Sequence, residues 1–170
     1  YEAKREGRAR AVLFNPSMHE RLTRYVALES GLSRALENNE FSLVFQPIVH
    51  LETGRRTTLE ALLRWNSADL GPVSPVNFIP LAEDTGLIVP IGEWVLRQAC
   101  MQGRRWADAG CPTMRLAVNM SARQFKQPDF VSMVSRILQE TGLDPRQLEL
   151  ELTESLVMQN EQSTIDKLHT

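Results

Sequence analysis

Three short segments of the chain set carboxylates and amides at alternate positions among leucines. In Leu59-Glu60-Ala61-Leu62-Leu63-Arg64-Trp65, a repeat of two puts Glu60, Leu62 and Arg64 on one face of a strand, with Leu59, Ala61, Leu63 and Trp65 on the other. In Arg115-Leu116-Ala117-Val118-Asn119-Met120-Ser121, Leu116, Val118 and Met120 face away from Asn119 and Ser121. In Leu148-Glu149-Leu150-Glu151-Leu152-Thr153-Glu154, three leucines share one face, and Glu149, Glu151 and Thr153 share the other. Burying a carboxylate is costly unless it is paired or bound to a metal, so this polar side needs compensation. Two readings fit. The oxygens suit a hard divalent cation such as Mg²⁺, Mn²⁺ or Ca²⁺, or else these are solvated strand ends with surface salt bridges.

The segments that must hold these residues alternate between strand and helix patterns. Strands are expected at 41–49, 57–65, 114–121 and 147–153, with helices near 75–84 and 88–109 between the second and third. Ile91, Val95, Ala99 and Trp106 mark the buried stripe of the longer helix. A further helix is expected with Pro128 at its first position, an apolar face of Phe130, Val134, Ile137 and Leu138, and Gly142 at its end. Upstream, a helix end and a short strand, Ala11 to Phe14, precede the break at Asn15-Pro16. Ser17 with Glu20 forms a capping-box pattern for a helix whose apolar positions are Tyr25, Leu28, Leu32 and Leu36, ended by Asn38-Asn39. It serves either as an interdomain connector or as a packing helix. Repeated strand–helix alternation predicts an α/β fold with a largely parallel sheet, and a barrel would gather the polar groups at the C-terminal mouth of its strands.

Composition narrows the function classes. The 170 residues are 42% hydrophobic, enough for one core, and the formal charge of −2 implies no broad basic surface for DNA. Anionic ligands must then be met by a few placed cations or by metal ions. Cys100 and Cys111 match no zinc or redox spacing, which favours a reduced, cytoplasmic setting. No apolar run reaches the roughly 18 residues of a membrane span, and no signal-peptide pattern opens the chain.

The same residues resemble the EAL family of cyclic-di-GMP phosphodiesterases. Glu60-Ala61-Leu62-Leu63-Arg64-Trp65 matches the signature that names the family, and Phe45-Gln46-Pro47-Ile48-Val49 is similar to its first barrel strand. The run from Phe78 to Ile88, Val118-Asn119-Met120-Ser121 with Gln124-Phe125, and Glu151-Leu152-Thr153-Glu154-Ser155 resemble three further signatures, in family order. Tyr1 to Arg8 resembles the closing segment of a GGDEF domain. The resemblance implies residues 1–15 as a GGDEF tail, 16–39 as a connector helix, and 40–170 as an EAL domain. The expected fold is a partial TIM-like (β/α)₈ barrel of the EAL type, with its N-terminal half to two-thirds present.

The implied activity is hydrolysis of cyclic-di-GMP to linear pGpG by a two-metal mechanism. Glu60, Asn119 and Glu151 become expected metal ligands for two Mg²⁺ or Mn²⁺ ions, about 3.5–4 Å apart in such sites. Glu60, Glu151 and Glu154 carry the catalytic assignment, Glu154 by holding a loop beyond the fifth strand. Gln46 and Arg64 are expected to contact the nucleotide, Arg64 through a phosphate oxygen. The family pattern continues past Thr170 with paired aspartates, a lysine, a glutamate and a glutamine, so the 170 residues read as an excerpt and are expected to be inactive alone. A (β/α)₈ barrel usually needs roughly 200 residues or more. The expected partners are cyclic-di-GMP, an upstream GGDEF domain and a second copy in a homodimer. The competing function is a non-catalytic EAL-like module that binds cyclic-di-GMP or a protein partner.

Other features have plainer readings. Glu83-Asp84 is expected to be a helix-end charge pair and Glu149 half of an ion pair. Trp65, Trp94 and Trp106 are packing residues, and Arg104-Arg105 is a solvated helix face. Asn119-Met120-Ser121 fits a glycosylation sequon by chance.

Overall fold

The computed structural model describes residues 16–54, 56–111 and 115–152. Helix α1 (Pro16–Arg34) leads into strand β1 (Phe41–Val49), β2 (Arg56–Ser67) and a short β3 (Gly71–Val73). Helices α2 (Pro75–Thr85) and α3 (Ile88–Asp108) follow, then β4 (Arg115–Met120), the four-residue α4 (Ala122–Phe125), α5 (Phe130–Thr141), a 3₁₀ turn (Pro145–Gln147) and β5 (Leu148–Leu152).

The sheet runs in the order β1-β2-β4-β5, with β3 paired to the end of β2. β2, β4 and β5 are parallel neighbours joined by helical crossovers, the repeating unit of a (β/α) barrel. The parallel strands are those expected, and two antiparallel pairings join them, one of which is the short β3 on β2. β1 pairs with β2 antiparallel, with Gln46 opposite Glu60. Only residues 50–55 join these strands, too short for a crossover, which takes roughly a dozen residues.

The core lies on the side of the sheet that carries the leucines. Leu59, Ala61 and Trp65 of β2 and Leu116, Val118 and Met120 of β4 are buried, with Phe78 of α2 and Ile91, Val95, Leu96 and Ala99 of α3. Trp65 holds three elements together: its ring meets Phe78 edge-on at 5.5 Å and Phe41 at 6.3 Å, and its Nε1 donates to Glu40 at 2.9 Å. That indole donor, the main cause, holds the Glu40 carboxyl below its usual range. Trp106 packs edge-on against Phe45 at 4.9 Å, and Trp94 lies 6.0 Å from Phe41, so all three tryptophans are packing residues. Burial pushes the Cys100 thiol up to about 11, which leaves it an inert core group.

Several boundaries differ from the sequence reading. α1 begins at Pro16, ahead of the expected cap Ser17, and ends at Arg34, before turns that carry Asn39 at a φ of 56°. Its Leu28 and Leu32 are buried, so it packs onto the domain. Pro128 is not the first helical residue of α5, because Asp129 takes the N-cap position, while Gly142 ends the helix at a φ of 69° as expected. Arg104 does more than face solvent: it pairs with Asp108 and donates to the Gly142 carbonyl at 3.4 Å. The expected strand at 11–14 and the GGDEF-like tail at 1–15 lie outside the described residues.

Candidate functional site

Alternation sends the polar residues of four strands to the side of the sheet opposite the core. Gln46 on β1 is exposed and faces Glu60 across the antiparallel pair. Glu60 on β2 is half-buried, and Asn119 near the end of β4 reaches back to it, its Nδ2 donating to Oε1 at 2.7 Å. Asn119 is in register with Glu151 on β5, which is also half-buried. The structure therefore brings Gln46 level with Glu60 and Asn119 level with Glu151 on one face, and the Asn119–Glu60 bond joins the two pairs. Arg64 lies on the same face of β2, four residues past Glu60 and opposite Ser42, with its Nη1 donating to the Leu63 carbonyl at 2.9 Å. Glu154 lies outside the described residues.

One carboxylate on this face is perturbed. Partial burial, followed by the negative charges of Glu60 and Glu149, raises the Glu151 carboxyl above its usual range. Glu149 has the ion pair expected of it, with Arg115 Nη1 at 3.7 Å, and both groups are solvent-exposed. Among the described residues no three His, Cys, Asp or Glu side chains form a group able to hold a metal ion. This face instead offers the carboxylates of Glu60 and Glu151 and the amide of Asn119, with Glu149 paired to Arg115. Because Asn119 spends its Nδ2 on Glu60, its carbonyl oxygen remains the group it can offer a cation. Converging oxygens with uncompensated negative charge fit a hard divalent ion.

Ser121 is a correction. Alternation placed it with Asn119 on the polar strand face, yet the strand stops at Met120 and Ser121 is the buried N-cap of α4. Its Oγ accepts from the Gln124 backbone N–H, and the Gln124 Oε1 accepts from the Ser121 N–H at 3.1 Å. The Ser-x-x-Gln spacing of a capping box was present in the sequence and was the signal for this role. Glu83 and Asp84 close α2 as expected. Their backbone carbonyls, not their carboxylates, are engaged, accepting from Arg123 Nη1 at 2.5 and 3.3 Å.

The fold defines part of a (β/α) barrel whose polar strand face carries the site. The sequence model of the EAL domain matches residues 29–170, and the chain belongs to the EAL domain family. It is 38% identical over 162 residues to the cyclic di-GMP phosphodiesterase PdeR of Escherichia coli K12, covering 95% of this chain and 24% of that protein. It is 41% identical over 165 residues to MucR of Pseudomonas aeruginosa, a bifunctional diguanylate cyclase/cyclic di-GMP phosphodiesterase, covering 97% and 24%. The solved PaMucR phosphodiesterase in complex with c-di-GMP superposes with a TM-score of 0.80 at 43% identity, over 84% of this chain and 58% of that one. The EAL enzyme Bd1971, in a form with cAMP and cyclic-di-GMP bound, superposes at 0.78 and 34% identity, over 87% and 41%. The chain thus spans about a quarter of the length of these curated relatives. Among the described residues no helix is long and apolar enough to cross a membrane.

Proposed function

We propose that this chain supplies the first half of the active site of a cyclic-di-GMP phosphodiesterase, a hydrolase that opens the cyclic dinucleotide to linear pGpG. The observation that carries the reading is the convergence of Glu60, Asn119 and Glu151 from three adjacent parallel strands, with the Glu151 carboxyl raised by partial burial and by the nearby charges of Glu60 and Glu149. Glu60, Asn119 and Glu151 would hold divalent metal, Mg²⁺ or Mn²⁺, which when bound supplies Lewis-acid activation of water and of the phosphoryl oxygen. The side chains have separate tasks. Glu60 fixes the Asn119 amide by accepting its N–H, which leaves the amide oxygen as the group Asn119 offers a cation. Gln46, exposed opposite Glu60, is placed to hydrogen-bond the nucleotide. Arg64 has guanidinium donors beyond the one given to Leu63, suited to a phosphate oxygen. Glu154 is assigned to hold the loop after β5, and the remaining ligands are assigned to sequence that follows these residues in the family pattern.

The relatives align across nearly the whole chain, including residues ahead of the EAL match. This supports a GGDEF tail at 1–15 and a connecting role for the segment 16–39 that contains α1, in a protein resembling the bifunctional MucR.

The test is hydrolysis of cyclic-di-GMP by the full-length protein with Mg²⁺ or Mn²⁺, beside Glu60→Ala. Wild type should release pGpG, and the variant should lose more than about a hundredfold, since changing even a partner of a metal ligand costs about 10–100-fold. A folded protein that binds the nucleotide without turning it over would overturn the enzyme reading in favour of a binding module.

A further inference from the structure

Two residues beyond Asn119, the chain leaves β4 at Ser121, which is buried, as are Gln124 and Phe125 after it, whereas Asn119 itself is exposed. Gln124 is 3% exposed, an unusual place for an amide unless its polar atoms are engaged. Its Oε1 accepts from both the Ser121 N–H at 3.1 Å and the Ser121 hydroxyl at 2.9 Å, while its Nε2 points at Met120 Sδ, 4.0 Å away. The far side of the amide lies against α3 at Gly92, where a Cβ would fall 1.6 Å from Nε2. Only glycine leaves room for it. The capping box at the end of β4 is therefore keyed into the helix that packs beneath the sheet, and Arg123 of the same short turn is bonded to the carbonyls that end α2.

We infer that Gln124 is a positioning residue: by locking Ser121 to α3 it fixes where β4 ends, and so the direction in which Asn119 presents its amide to Glu60 and Glu151. This rests on the metal-site reading above. Among the described residues the Asn119 side chain bonds Glu60. Its aim is otherwise set by the β4 backbone, which the β4–β5 ladder holds along the strand and the Ser121–Gln124 ring holds at its end. A ligand displaced by a fraction of an ångström loses affinity without loss of the fold.

The experiment measures Mn²⁺ affinity by titration, and the unfolding midpoint in EDTA, for the full-length protein and four variants. Asn119→Ala tests the metal-site reading itself. If wild type binds Mn²⁺ and Asn119→Ala does not, that reading stands. If neither differs, it falls and takes this inference with it. Gln124→Met keeps the volume and removes the bonds, and should weaken Mn²⁺ binding about tenfold, as loss of a ligand-orienting partner does. Ser121→Ala, a smaller change that keeps the fold if Gln124→Met does not, should weaken it in the same direction. Ile137→Val, in the core of α5, lowers the midpoint and should leave Mn²⁺ affinity unchanged. Folded Gln124 or Ser121 variants that keep wild-type Mn²⁺ affinity would overturn the positioning role, as would an Ile137→Val variant that loses affinity equally.

Discussion

On one face of the sheet, Leu59, Ala61, Trp65, Leu116, Val118 and Met120 lie beneath α2 and α3, almost wholly removed from water. On the other, Gln46, Asn119 and Glu149 are exposed, and Val44 and Ile48 are each more than two-fifths exposed beside them. The same strands build both. The covered face is a close-packed interior in which shape decides stability, and its few polar atoms are bonded. On the open face, partial burial and the charges of Glu60 and Glu149 raise the Glu151 carboxyl above its usual range, an arrangement that costs stability where that group is ionised. The difference separates what holds the domain together from what it does, and it can be tested from both sides.

The largest effect belongs to Trp65→Ala. The indole is 1% exposed, contacts Phe41 and Phe78, and bonds Glu40, so its removal leaves a cavity among α1, β1 and α2. A loss of about 3–5 kcal/mol is expected in chemical denaturation. A loss below about 1 kcal/mol would mean that the covered face is not the interior it is taken for.

Gly103→Ala asks whether packing or backbone propensity governs that face. Alanine in mid-helix should stabilise α3 by roughly 1 kcal/mol. Yet a Cβ at Gly103 would stand 2.4 Å from Leu116 Cδ1 and 3.1 Å from Leu143 Cδ1, both on buried leucines. Overpacking costs about 1–3 kcal/mol, so net destabilisation is expected. An unchanged or raised midpoint would show that β4 can yield beneath the helix.

How far this division could be read in advance follows from what period two encodes. Alternation assigns each residue of a strand to a face, so Glu60, Asn119 and Glu151 were legible as a polar set and Trp65 as core. It does not encode register. Glu60 is level with Ala117, and Asn119 meets it only by reaching back from two residues further along. The antiparallel β1–β2 pair was missed because apolar pattern alone does not state strand direction, although the short linker did. Ser121 was misplaced because a strand pattern carries no mark for its last residue, and the cap signal after it competes with the alternation. The burial of Gln124 against Gly92 depends on how a helix far along the chain packs, which neither local spacing nor composition contains.

The smallest effect, and the one that best separates the two faces, is that of Glu151→Gln. Burial and the neighbouring charges of Glu60 and Glu149 raise the Glu151 carboxyl in the folded protein above its value in the unfolded chain. The folded state then binds this proton more tightly. The associated stability is fully present below the unfolded pKa and is lost as pH rises through the folded one. In EDTA at neutral pH, wild type therefore carries a repulsion that glutamine lacks. Neighbouring side-chain pairs on one sheet face are worth roughly 0.2–1 kcal/mol, so the variant should be more stable by no more than about that amount, with a shallower decline as pH rises above the ordinary carboxylate range. With saturating Mn²⁺ the order should reverse, because a ligand at about a hundred times its Kd adds about 2.7 kcal/mol to the form that binds it. Thermal unfolding of both proteins across pH, with and without metal, reads both signs. If glutamine destabilises the metal-free protein, the carboxylate is already satisfied by the chain. If Mn²⁺ stabilises both equally, Glu151 is not among the groups that hold the ion.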